Sequence, residues 1–309
     1  MRVIKTATLA AVWIALLCGG AWAESSTKDS EKVPQSAQEE LKEILAFCKG
    51  NPRCRVKKLT EVALLERPGG EIEKLAGETL LRYANRDLAK SLISAFSQGG
   101  AYAKIQALQI FHEYWTEMGL ASSPRMAEIC RMAMDEPDER VHWYAAKFLA
   151  DRPLIKAGAV AADLATLYPE LTLPALMSIE ISKDHRMVRW TLDFLDHEDP
   201  LVRQAAQRVI ALFDRQAAAP LRAWADSPDA ARRRLGIENL VLIATPDEAP
   251  ALHRWLERYG SEEEDLRGLV IKTLANLEVG LHRPKIPPRA TFEIPERFRV
   301  EPLGPYYHP

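Results

Sequence analysis

From about residue 36 onward, apolar side chains recur three and four positions apart, the spacing of an α-helix that buries one face. The pattern predicts helices over roughly 36–48, 52–66, 69–85, 87–98, 101–119 and 123–134. They are punctuated by Gly69-Gly70, Asn85-Arg86, Gly99-Gly100 and Ser122-Ser123-Pro124. No stretch alternates apolar and polar residues in the manner of a half-buried strand. Short helices throughout, with turns between them, predict helix pairs packed side by side.

A spaced motif sharpens this in the second half. Asp138-Glu-Arg-Val-His142, Asp199-Pro-Leu-Val-Arg203, Asp229-Ala-Ala-Arg-Arg233 and Glu263-Glu-Asp-Leu-Arg267 each set an acidic residue four positions before a basic one or a histidine. An apolar helix follows each: Trp143-Tyr144-Ala145-Ala146, then Ala205-Ala206 with Val209-Ile210, then Leu235 with Leu240, then Leu269-Val270 with Leu274. The last three are offset by 30 and 34 residues, and the first precedes the second by 61. Periods of this length mark a solenoid of stacked units. Partner helices run through 216–225 and 247–257. Acid and base four apart on one helix face are expected to pair, and an acid at a helix start suits the macrodipole.

Asp199-Pro200-Leu201-Val202-Arg203-Gln204-Ala205-Ala206, followed by a helix of the 247–257 type, resembles bacterial HEAT repeats. The resemblance covers about 135–279 and is best over 199–226 and 229–257; the register of 153–198 is not fixed by it. It implies an all-α, HEAT-like α-solenoid of stacked antiparallel helix pairs, with a structural ladder built from Arg203, Arg233 and Arg267. It implies nothing about chemistry.

The N-terminus changes the setting. Arg2 and Lys5 precede an apolar run over 7–17 and then Ala21-Trp22-Ala23, the pattern of a secretory signal peptide cleaved before Glu24. Lipid attachment at Cys18 is the lesser alternative, because Leu17 departs from the lipoprotein pattern. Removal of residues 1–23 leaves 39 basic against 43 acidic side chains, a formal charge of −4, with no later transmembrane span expected. Organisation is therefore read as a signal peptide 1–23, a polar leader 24–35, helical pairs 36–134, HEAT-like repeats 135–282 and a proline-rich extended tail 283–309. Localisation is expected to be periplasmic or secreted, a compartment in which disulfides persist. Cys48 and Cys54 flank the turn of a helical hairpin, with Asn51 as cap and Pro52 at the first helical position, and are expected to bond. Cys130, in an apolar helix, is expected to be a buried, inert thiol.

Candidate chemistry is sparse. There is no G-x-S-x-G, phosphate loop or H-E-x-x-H; Ser25-Ser26-Thr27-Lys28 spells S-x-x-K only by chance, and the seven histidines have no metal-ligand spacing. No catalytic residue, metal or cofactor is expected. Arg232, Arg233 and Arg234, with Trp224 and Trp255, are the candidate binding residues, able to grip an acidic or extended segment if they share a groove. A solvated helix face and packing between repeats are the competing uses. The expected function is a non-catalytic, protein-binding scaffold of the bacterial envelope, not an enzyme, with a protein or extended peptide as partner and no nucleic acid. The alternatives are an enzyme whose site is assembled across repeats and a membrane-anchored assembly factor. The tail has seven prolines between Pro284 and Pro309 yet carries Ile286, Phe292, Ile294, Phe298, Val300, Leu303, Tyr306 and Tyr307. It is expected to run back in extended form over the last repeats and cover their open flank; the rival is a free segment that hooks a partner.

Overall fold

The computed structural model describes residues 35–66, 70–83, 85–120, 123, 125–154 and 156–304. The expected signal peptide, Cys18, the leader as far as residue 34, and Tyr306 and Tyr307 lie outside them. The described residues form helices and connecting turns without a strand. The first half contains α1 (Gln35–Phe47), α2 (Pro52–Glu61), α3 (Glu71–Leu81), α4 (Arg86–Gln98), α5 (Ala101–Glu113), α6 (Arg125–Met134) and α7 (Glu139–Asp151). The second contains α8 (Ala157–Leu167), α9 (Thr172–Ser182), α10 (Val188–Leu192), α11 (Pro200–Leu212), α12 (Asp214–Ala225), α13 (Ala230–Ile243), α14 (Ala249–Tyr259) and α15 (Glu264–Glu278). No helix among the described residues is long and apolar enough to cross a membrane.

Odd-numbered helices form one layer, in which α5 packs on α7, α7 on α9, α9 on α11, α11 on α13 and α13 on α15. Even-numbered helices back them, with α8 against α9 and α12 against α13 as the most extensive pairs. This is the HEAT-like α-solenoid: a short pair cannot bury its apolar faces alone, and each pair closes the next. The unassigned stretch 153–198 supplies α8, α9 and the single short turn of α10. Apolar burial falls into two clusters. One runs from Ala37 to Met177 and takes in Phe292, Ile294 and Leu303 of the tail; the other runs from Leu176 to Leu274, with Leu173 and Trp190 touching both.

The spaced motif works differently from the expected ion pair. Asp138, Asp199 and Asp229 cap their helices, accepting from the backbone N–H of Arg140 (3.0 Å), Leu201 (2.8 Å) and Arg232 (2.9 Å). The basic member reaches back six residues to a carbonyl: His142 Nε2 to Glu136 O at 2.8 Å, Arg203 to His197 O at 2.5 Å, Arg233 to Ser227 O at 3.2 Å. Cap and staple together satisfy donors at the helix start and acceptors in the preceding turn, where neither would have an intrahelical partner. The ladder is found at one of its three expected rungs. Arg233 Nε donates to Glu263, the acid of the next repeat, at 2.8 Å.

At the N-terminal end Asn51 accepts from the N–H groups of Arg53 and Cys54, with Pro52 opening α2. The sulfur atoms of Cys48 and Cys54 lie at bonding distance across the turn, with Cα atoms 5.4 Å apart. Cys130 is fully buried, and that burial pushes its thiol pKa far up.

Candidate functional site

The tail leaves α15 at Gly280 and returns along the odd-helix layer in extended form. It meets α13 first, where Lys285 N–H donates to Leu242 O at 3.3 Å. On α11, Arg208 and Gln204 donate to Pro287 O (2.5 Å) and Pro288 O (2.9 Å). On α7, Lys147 Nζ reaches Phe292 O at 2.8 Å, while Arg289 donates back to Ala150 O at 2.9 Å. Further along, Tyr144 Oη donates to Val300 O (3.1 Å) and accepts from Val300 N–H (2.8 Å). On α5, Gln109 and Gln106 donate to Val300 O (2.9 Å) and Glu301 O (2.7 Å). Leu303 then ends against α3 in the space left by Gly77, whose hypothetical Cβ would stand 2.3 Å from Leu303 Cγ.

Six of these nine bonds run from a body side chain to a tail carbonyl. A proline has no N–H and is held through its carbonyl, as Pro287 and Pro288 are. Apolar side chains fix the register: Ala290, Phe292, Ile294 and Leu303 are buried, and Trp143 of α7 stacks on Phe292 and Phe298 with ring centroids 5.8 and 5.1 Å apart. The expected return of the tail is thus found, but its reach is longer and its cover different. It crosses the layer from α13 to α3 and leaves the outer flank of α15 open, with Leu269, Ile271, Val279 and Leu281 all exposed. Proline stiffness and the donors on α5, α7 and α11 hold the tail in the layer's face and not over its end.

Two buried acceptors beside the tail, Gln106 Oε1 and Gln109 Oε1, have no hydrogen-bond partner. Between α5, α7 and the tail, Leu108, Phe148, Ile294 and Pro302 bound a cavity of 220 Å³, with His112, Tyr144 and Lys147 on its walls. Asp151 Oδ2 accepts from Lys147 Nζ at 2.9 Å and lies 2.9 Å from His112 Nε2. Burial raises the Asp151 pKa, but hydrogen bonds from His112 and Lys147 outweigh it and the net shift is downward.

The arginines and tryptophans singled out from the sequence do not share a groove. Arg232 is exposed and lies over the Trp224 ring at 5.0 Å. Arg233 is buried, 4.2 Å over the Tyr259 ring, and is spent on Glu263 and the turn carbonyls. Arg234 is exposed and paired with Glu238 (2.9 Å) and Asp265. Trp255 is fully buried and Trp224 half-buried. The residues that hold the tail were missed because glutamines, a tyrosine and a lysine scattered over three helices form no motif. Gly77, an isolated glycine inside a helical pattern, was the available signal of close approach. No cluster of three metal-ligating side chains occurs among the described residues.

No protein-family model matches the chain, and no curated protein matches it. Among solved structures it is similar to the complex of CpcE and CpcF of phycocyanin lyase from Nostoc sp. PCC7120, at 17% identity and a TM-score of 0.39, covering 72% of this chain and 94% of that one. That likeness carries no activity across. It does correct the expectation that this chain is not an enzyme: the similar complex is described as a lyase, so stacked helix pairs are no ground for excluding catalysis.

Proposed function

We propose that the chain is an exported helical-repeat module of the bacterial envelope that binds extended polypeptide along its odd-helix layer, the face its own tail occupies in this structure. One observation carries the reading. Gln106, Gln109, Tyr144, Lys147, Gln204 and Arg208, from α5, α7 and α11, all donate to carbonyls of one extended segment. Backbone-directed donors recognise a conformation in preference to a sequence. Export rests on the N-terminal sequence and on the Cys48–Cys54 pair.

Deleting residues 287–309 tests it. The shortened chain is expected to melt lower and to bind a labelled peptide of residues 286–304, which the whole chain binds poorly. Unrelated extended peptides that alternate Phe and Ile with small residues are expected to compete. Competition by the tail sequence alone would reduce the face to an internal clasp and sink the reading.

A second reading, an enzyme with a site assembled across repeats, has the cavity under the tail behind it. There His112, held by Asp151, is placed to exchange a proton with a guest. A screen of small esters and amides against the native chain and His112→Gln tests it; turnover that survives the substitution rules this site out.

A further inference from the structure

The tail covers a face of the stack and leaves its C-terminal end bare, and that end has a composition of its own. Val279 and Leu281 stand 64% and 72% exposed on either side of Gly280, which turns the chain with a φ of +68° and has nothing within 4 Å of where its Cβ would be. They form an apolar tip. Leu269 and Ile271 on α15 and Ile286 beyond the turn are also exposed, so five of the nine exposed large apolar side chains among the described residues fall between 269 and 286. Behind the tip, between α13, α15 and the start of the tail, lies a cavity of 530 Å³. Its walls carry Lys272, His282, Arg283 and Lys285 over an apolar floor that includes Val241 and Leu242, and no acidic residue lines it. Lys272, Arg283 and Lys285 are exposed, and none of them has an ion-pair partner among the described residues. Glu278 is the nearest acid in sequence; six residues from Lys272, it projects from α15 about 120° away around the helix axis.

We propose that this end of the solenoid docks on a membrane surface rich in anionic phospholipid. Apolar side chains on a protruding turn enter the interfacial region, where their removal from water is favourable, and the ring of free cations meets the lipid phosphates. Water-soluble partners do not need both features together. A second solenoid stacking end to end would want a flat apolar face without three unpaired cations, and a soluble anion would use the cations without the apolar tip. The inference is independent of the polypeptide face, since none of the six donors there belongs to this end.

Flotation of the whole chain with phosphatidylcholine vesicles, with and without phosphatidylglycerol, is the test. Binding is expected only to the mixed vesicles and is expected to weaken as salt rises. Lys272→Gln, Arg283→Gln and Lys285→Gln are each expected to lower vesicle affinity about fivefold, and together about a hundredfold. Val279→Ser with Leu281→Ser is expected to abolish flotation while leaving the melting temperature unchanged, because both side chains are already in water. Equal binding to neutral vesicles, no binding to either, or an unaffected triple variant overturns the proposal. So does a concentration-dependent dimer that Leu281→Ser dissolves, or phosphate binding at the cavity without vesicle binding. Tail deletion from residue 287 leaves the whole patch in place, so loss of peptide binding and loss of flotation are separable results.

Discussion

Gly77→Ala is the sharpest perturbation the fold offers. The new methyl carbon would stand 2.3 Å from Leu303 Cγ, 2.7 Å from Cδ2 and 3.0 Å from Cδ1, so the leucine must leave. Leu303 is 4% exposed, and burial of a leucine side chain contributes roughly 1.5–3 kcal/mol. Within α3 the same change is favourable by about 1 kcal/mol, because alanine restricts the unfolded chain more than glycine does. The two effects act on different parts of the molecule. Body stability rises slightly, whereas docking of the last tail residues weakens by about 2 kcal/mol, roughly thirtyfold in local opening. Hydrogen exchange reads the two separately. The Val300 amide, which donates to Tyr144 Oη at 2.8 Å, is expected to exchange roughly thirtyfold faster, while amides in α13 are unchanged. In the Gly77→Ala background Leu303→Ala should cost nothing further. An unaltered Val300 exchange rate would refute the placement of Leu303 against Gly77 and with it the register of the tail's end.

Other outcomes follow from the same contacts. Arg233→Ala leaves the half-buried Glu263 without its partner and is expected to cost about 2 kcal/mol in urea denaturation, against about 0.5 for the exposed Arg234→Ala; equal midpoints would mean the ladder contributes nothing to stability. His142 and His282 are held below the ordinary 6.5, both chiefly by burial, which the His142 hydrogen bond to Glu136 O offsets only in part. The unfolded chain therefore takes up protons first, so stability is full above about pH 7 and falls as pH drops through 6.5 toward the folded values. Urea midpoints at about pH 7.5 and about pH 5.5 should differ, and His142→Gln should remove part of the difference; a flat profile would contradict the burial of these rings.

Much of the architecture was legible because repeat folds write their period into the chain. The acids at 138, 199 and 229 mark helix starts, and all three cap them. What the motif's base does was misread: spacing of four suggests an ion pair along the helix, but the acid's oxygens are already engaged by backbone N–H groups, so the base turns to the preceding carbonyls. Asn51-Pro52 and the cysteines beside them were readable for a similar reason, since capping and loop closure are local. The face that holds the tail was not. Its bonds join residues as far apart as Gln106 and Glu301 and end on main-chain carbonyls, which every residue has. Trp143 illustrates the limit, for sequence marks it only as part of the apolar helix after Asp138, whereas its ring stacks on Phe292 and Phe298.

A stack of repeats ordinarily behaves as a one-dimensional array, in which each unit feels only its neighbours and melting can begin at either end and travel. The return of the tail changes the topology of that array. By tying α3, α5, α7, α11 and α13 to a single strand, it adds contacts separated by 191 and 195 residues and makes the ends of the stack interdependent. Loss of the outermost pair then loosens the far one. Unfolding of the whole chain becomes closer to a single step than a progressive fraying, and refolding carries the slowness of long-range closure. During synthesis the array must stand without its clasp until the last residues emerge, so the odd-helix face is open to other polypeptides before it is ever closed by its own.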